Sequence, residues 1–224
     1  MQLCPDAVVL MAMGIESIIV ILVLIISIVL HEVAHGYAAN WLGDPTARLA
    51  GRLTLNPISH IDLVGSIIIP AMLYLTSAGF MFGWAKPVPY NPYNLRNQRW
   101  GEAFVAFAGP GTNFLLAGIF AVLINLSGAF DLAPSFVDLA QYIVFINVFL
   151  GCFNLIPFPP LDGSKVIEPF LPIAIRMRYR ALGDSMQRFG ILGSVIILTV
   201  FIYVLSKPFF YFVNGIVDFI LSVG

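Results

Sequence analysis

Two histidines four residues apart, with a glutamate directly after the first, close the first long apolar run of the chain: Leu30-His31-Glu32-Val33-Ala34-His35-Gly36. On a helix, residues four apart share a face, so His31 and His35 can aim imidazole nitrogens at one metal ion with Glu32 beside them. This is the residue set of a zinc hydrolase, in which Glu32 would serve as general base, taking a proton as water attacks and passing it to the leaving amine. The approach to the motif is unusual. Residues 15–30 carry one charge, Glu16, and are otherwise almost wholly Ile, Val and Leu, which puts the candidate metal position at membrane depth.

A catalytic zinc takes three protein ligands and leaves one position open for water. The third ligand must come from elsewhere in the chain, and the candidates are Asp162, Asp62, Glu168 and His60. Asp162 is preferred, because an ionisable residue near membrane depth is functional by default and this one follows an apolar helix in a Pro-rich break. Amide hydrolysis also needs a donor for the developing oxyanion. Asn154, just before that break, either supplies its side-chain NH₂ or bonds backbone freed by Pro157, and the sequence leaves both open. Two other functions fit the same residues. A metal transporter would use His31, Glu32, His35 and Asp162 as an ion pathway and would give metal flux without product peptides. A non-catalytic membrane adaptor is disfavoured by the intact Glu32.

The elements that must position these residues are membrane elements. Of 224 residues, 59% are hydrophobic and only 10% are charged, with a mean hydropathy of +0.93. That composition excludes a water-soluble globular protein, and no basic run suggests nucleic acid. Cys4 and Cys152 make no disulfide framework. The expected fold is an all-α polytopic membrane protein, a bundle of about five to six transmembrane helices with short re-entrant or β-hairpin elements. Helices are expected over residues 14–42, 102–126, 139–155 and 191–206, with Lys207-Pro208 separating the last from an apolar tail. Alternation over residues 47–55 suggests a short strand or hairpin. Gly109-Pro110-Gly111 with Asn113 reads as a kinked, close-packing helix face, and Trp41, Trp84 and Trp100 as interfacial anchors.

Charge then fixes an orientation. Arg48 and Arg52, Lys86, Arg96 and Arg99, and the stretch from Lys165 to Arg188 should all be cytoplasmic by the positive-inside rule. If the first two groups share a side, residues 64–82 cannot cross completely and read as a re-entrant or tilted hairpin. His31, His35 and Asp162 then fall at the cytoplasmic ends of two parallel helices.

His31-Glu32-Val33-Ala34-His35-Gly36, Ala108-Gly109-Pro110-Gly111-Thr112-Asn113, and Asn154-x-x-Pro157-x-Pro159-x-Leu161-Asp162-Gly163 together resemble the site-2 protease family of zinc intramembrane metalloproteases, in the short bacterial form without a PDZ domain. The resemblance runs from the first helix through Gly163. It implies one catalytic zinc per chain held by His31, His35 and Asp162, Glu32 as catalytic base, and Asn154 contacting substrate or oxyanion. It implies a single domain over residues 1–224, with a three-helix catalytic core within 14–163 and accessory helices over 189–224. The expected substrate is a transmembrane helix of another protein, cut in the bilayer, in regulated intramembrane proteolysis. The substrate would unwind locally, by adding an extended stretch to the edge at residues 47–55. The expected setting is a bacterial inner membrane with the site toward the cytoplasm.

Overall fold

The apolar run carrying both histidines forms one helix, α1 (Ile15–Trp41). Its inward face is a stripe at every fourth residue, Ser27, His31, His35 and Ala39, all buried. Ile18, Ile21, Leu22 and Ile26 on its other faces are exposed, as expected of side chains that meet lipid. The computed structural model describes residues 15–75, 83–188 and 201–222, and among these it contains no strand.

Two further long apolar helices pack with α1: α4 (Gly101–Asn125) and α5 (Pro134–Asn154). Cross-helix hydrogen bonds give their directions. His35 meets Val105 and His31 meets Asn113, so α4 runs antiparallel to α1. Asn147 lies level with Ser27 and Asn113, and Asp162 beyond the end of α5 lies level with His31, so α5 runs parallel to α1. Ala117 and Ala121 let α4 approach Val144 and Val148 of α5 closely, as small residues do between membrane helices. Gly151 has no side chain because the Phe114 ring occupies that space.

The segment between α1 and α4 departs from the sequence expectation at residues 47–55. A short helix, α2 (Thr46–Leu49), forms in place of a strand. Asp44 seeds it by accepting from the Thr46 N–H at 3.2 Å and the Thr46 hydroxyl at 2.5 Å, and Arg52 N–H closes back on Ala47 O at 2.9 Å. Local side-chain-to-backbone bonding at Asp44 thus overrides the alternation of side chains. Beyond it come a 3₁₀ turn (Pro57–His60), a π-helical stretch (Leu63–Ile68) and α3 (Ile69–Leu75). Trp84 N–H donates to Gly65 O at 3.2 Å, the Ser66 hydroxyl to Trp84 O at 2.8 Å, and Lys86 N–H to His60 O at 2.8 Å. The chain therefore returns at residues 84–86 to the level it left at 60–66. Both ends of the segment thus lie at one level, as the re-entrant expectation requires; residues 76–82 lie outside the described ones. Trp84 packs against Gly65 and so serves this closure.

After α5 come α6 (Asp162–Ile167), a 3₁₀ turn (Glu168–Phe170), α7 (Ile173–Arg188) and α8 (Ser206–Ser222). Lys207-Pro208 was expected to break the last helix and does not. A π-helical stretch (Phe201–Leu205) runs directly into α8, and Pro208 lies just past that junction, where the backbone changes from π to α. Most of the expected helix at 191–206 lies outside the described residues. Four helices among the described residues are long and apolar enough to span a membrane: Ile18–Trp41, Gly101–Asn125, Pro134–Asn154 and Tyr203–Ser222.

Candidate active site

His31 and His35 aim their Nε2 atoms at each other across 3.0 Å, and Asp162 Oδ2 stands 3.1 Å from the first and 3.2 Å from the second. What occupies the far nitrogen of each ring decides what this triangle is. His31 Nδ1–H donates to Asn113 Oδ1 at 2.5 Å, and His35 Nδ1–H to the Val105 carbonyl at 2.7 Å. With both protons on Nδ1, the two Nε2 atoms present lone pairs. Two nitrogen lone pairs and a carboxylate oxygen thus converge with no proton of their own to share. Tetrahedral ligands at zinc distances of about 2.0 Å sit about 3.3 Å apart. The donor set and its spacing fit a small divalent cation, and the outer hydrogen bonds are those that orient metal-binding histidines.

A directional relay behind His31 fixes that tautomer. Asn113 Nδ2–H donates to Asn147 Oδ1 at 2.8 Å, which turns Asn113 so that its oxygen faces His31. Asn147 Nδ2–H donates to the Ile143 carbonyl at 2.9 Å and to Ser27 Oγ at 3.0 Å. A backbone carbonyl can only accept, so Ile143 O sets the direction of the whole chain. Ser27, Asn113 and Asn147 are all buried. Sequence reasoning read the Asn113 stretch as a packing face and passed over Asn147 and Ser27. The signal available was a polar side chain inside each of three apolar spans.

Two glycines are shaped by the site. A Cβ at Gly109 would lie 2.5 Å from His35 Cε1 and 2.6 Å from His31 Nε2. A Cβ at Gly163 would run into the backbone of Leu155, so α6 can place Asp162 only with glycine next to it.

Glu32 lies beside the histidines, and its Oε2 accepts the Val88 N–H at 2.9 Å. In the stretch Pro87-Val88-Pro89 that is the one backbone donor available. These groups line a cavity of about 200 Å³ together with Asn154, Tyr90 and Lys165. Asn154 Nδ2–H donates to Leu150 O at 3.0 Å, one turn back in α5, so one of its two amide protons is engaged there and not in the cavity. The other third-ligand candidates are elsewhere. His60 Nε2–H donates to Thr54 O at 2.9 Å, Asp62 caps the π-helical stretch through Gly65 N–H at 2.6 Å, and Glu168 pairs with Arg180.

Tyr90 and Lys165 on the cavity wall belong to a second cluster that the sequence did not suggest. Lys165 Nζ donates to Tyr90 Oη at 2.9 Å, and Tyr90 O–H donates to Glu102 Oε1 at 3.1 Å. Burial alone would pull the lysine pKa down, but Tyr90, Glu102 and Asp162 around it push it above its usual value. Burial, with Glu102 adding to it, pushes the Tyr90 phenol up to about 12. At neutral pH the pair is therefore an ammonium and an intact phenol.

Comparison with known proteins places the chain in a family. The model of peptidase family M50 matches residues 19–136 and 129–201. The chain is 41% identical over 164 residues to YwhC of Bacillus subtilis strain 168, covering 70% of this chain and 71% of that one. It is 31% identical over 215 residues to Rip2 of Mycolicibacterium smegmatis, covering 92% and 78%. Both relatives are named as candidate zinc metalloproteases. The zinc metalloprotease MJ0392 of Methanocaldococcus jannaschii is 26% identical over 153 residues, covering 68% of this chain and 34% of that one. No solved structure matches. Four span-length apolar helices among the described residues, a converging His-His-Asp triangle with a glutamate beside it, and a family match over most of the chain lead to one assignment: the chain is an integral membrane zinc metalloprotease of peptidase family M50, the site-2 protease family.

Proposed function

We propose that this metalloprotease is an intramembrane endopeptidase, one zinc per chain held by His31, His35 and Asp162, that hydrolyses peptide bonds in or near transmembrane segments of other membrane proteins. The observation that carries the reading is the position of the triangle. At a rise of 1.5 Å per residue, His35 lies about 9 Å and His31 about 15 Å inside the Trp41 end of a helix whose outer faces are apolar. A substrate that reaches these groups arrives through the bundle or from lipid.

A zinc ion held there supplies Lewis acidity and brings the pKa of its water toward about 7. Glu32 then acts as base. Val88 N–H fixes its carboxylate through Oε2 and leaves the other oxygen to take the proton as water adds to the scissile carbonyl carbon. The carbonyl electron pair moves onto oxygen; collapse breaks the C–N bond, and Glu32 returns the proton to the departing amine. The single protease domain has its catalytic core within residues 14–163, with residues 189–224 accessory. Arg48, Arg52, Lys86, Arg96, Arg99 and the α6–α7 region gather at the end of the bundle nearest the site: Arg52 bonds Lys86 O, and Arg99 bonds Pro169 O. By the positive-inside rule that end faces the cytoplasm of a bacterial inner membrane.

The test is the purified protein in detergent, wild type against Glu32→Gln and Asp162→Ala, assayed for zinc and for cleavage of a Leu/Ala-rich transmembrane peptide with a central Gly-Gly pair. Glu32→Gln should keep about one zinc and lose cleavage, and Asp162→Ala should lose both. Cleavage by Glu32→Gln at the wild-type rate would overturn the mechanism.

A further inference from the structure

Lys165 has no part in the hydrolysis described so far, yet it lines the same cavity as His31, Glu32 and Asp162. It sits one turn beyond Asp162 on α6, so the element that delivers the carboxylate also delivers a cation. An ammonium has three donors. Among the described residues its one hydrogen bond is to Tyr90 Oη at 2.9 Å, and its charge stands 5.0 Å from the centroid of the same ring. Tyr90 is held in turn. Its proton goes to Glu102 in the first turn of α4, and its ring packs on the buried cluster of Ala39, Leu95 and Val105. The ammonium is therefore fixed on one side, with two N–H groups left for whatever enters the cavity.

A purely structural link between α6 and Tyr90 would need only a neutral donor, because burying a charge is expensive unless something answers it. Asn154, the residue expected to meet the oxyanion, has one amide proton committed to Leu150 O. Lys165 offers a full charge, held in place before the reaction begins, which is the arrangement that stabilises charge developing in a transition state.

We propose that Lys165 is a catalytic residue of this protease, its ammonium donating a hydrogen bond to the scissile carbonyl oxygen. The proposal rests on the hydrolytic reading of the site. As water oxygen bonds to the carbonyl carbon and Glu32 takes the proton, the carbonyl pair becomes negative charge on oxygen. Lys165 meets that charge and keeps its own proton. Tyr90 and Glu102 act through Lys165 and are positioning residues.

The experiment uses the full chain with zinc and two probes: the Gly-Gly transmembrane peptide, and the same peptide with a phosphinate replacing the scissile amide. Lys165→Met should lower kcat about 10²–10³-fold with KM within about threefold, as loss of one oxyanion donor does. Zinc content should be unchanged. The phosphinate, an anion shaped like the tetrahedral species, should bind this variant about 100-fold more weakly, while the uncharged peptide binds as before. Lys165→Arg should recover part of kcat. Wild-type kcat and phosphinate affinity in Lys165→Met, or a fall in kcat that accompanies loss of zinc, would overturn the proposal. A wild-type protein that neither cleaves the peptide nor binds the phosphinate would overturn the hydrolytic reading itself, and this one with it.

Discussion

Gly109→Ala adds one methyl group on α4 and should cost the protein its metal. The new Cβ would stand 2.5 Å from His35 Cε1 and Nε2, against about 3.4 Å for ordinary contact, so the ring must retreat by about 0.9 Å. Neither ring is free to do so, since Nδ1 of each is tied to α4, by Asn113 Oδ1 and by the Val105 carbonyl. Metal–ligand distances tolerate about 0.2 Å, so the displacement exceeds the tolerance severalfold. The helix itself gains, because alanine is favoured over glycine in a helix interior by about 1 kcal/mol. Zinc affinity, measured by chelator competition on the detergent-purified protein, should fall at least about 100-fold while helix content by circular dichroism is kept. Gly118→Ala on the same helix meets no heavy atom within 4 Å and is the control, expected to bind zinc as wild type does. Wild-type zinc affinity in Gly109→Ala would refute the assignment of this triangle as the metal site.

Asn147→Leu removes the acceptor that turns Asn113, frees its amide to flip toward His31 and so to move the imidazole proton onto Nε2; zinc affinity should fall about 10- to 100-fold. Adding Asn113→Asp, which can only accept, should restore much of it in the double variant, and no recovery would count against the relay. Asp44 is fully buried and accepts from Thr46, Asn91 N–H at 2.6 Å and Asn94 at 2.8 Å; these bonds outweigh burial, which acts the other way, and hold its carboxyl below the usual range. A depressed folded-state pKa stabilises above the unfolded value of about 4 and is lost as pH falls below it. Asp44→Asn, which sets an NH₂ against the Asn91 N–H, should destabilise by about 1–3 kcal/mol at neutral pH. The difference in thermal midpoint from wild type should shrink in acid.

What the sequence made legible was what is local. His31, Glu32 and His35 are fixed by a spacing within one helix, and that helix was clear from its apolar run. Asp162 was reached because few ionisable residues stand near an apolar helix, and the parallel course of α1 and α5 followed from where the basic residues lie. Asn113, Asn147 and Ser27 depend on the register of three helices, which no pattern within one helix encodes. Residues 47–55 alternate as a strand would, but Asp44, two residues before Thr46, bonds its backbone N–H and hydroxyl, and that local turn won. Lys207-Pro208 looked like a break because proline stops helices; it falls instead just past the junction where a π-helical stretch becomes α8. Lys165 was counted only as part of a basic stretch, since nothing in its neighbours shows that a tyrosine 75 residues away receives it.

Along α1 the polar groups change in kind with depth. Ser27, the deepest, meets a neutral amide; His31 meets another amide and the carboxylate of Asp162; His35, one turn nearer the end, meets a backbone carbonyl and the same carboxylate. Glu32 is reached by a loop amide, and the full charges of Lys165 and Glu102 lie on the cavity wall and in the first turn of α4. This order follows from what burial costs. A neutral amide pair that satisfies itself is tolerable in hydrocarbon, whereas an ion there is not, and each ionisable group sits where loops or other charges can answer it. The relay can thus hold the histidines from the apolar side while the water, the base and the cation are supplied from the loop side. A peptide bond cut at this site, as proposed, must therefore come to the last turns of α1, near the basic end, while the deeper turns carry the neutral groups that hold the histidines.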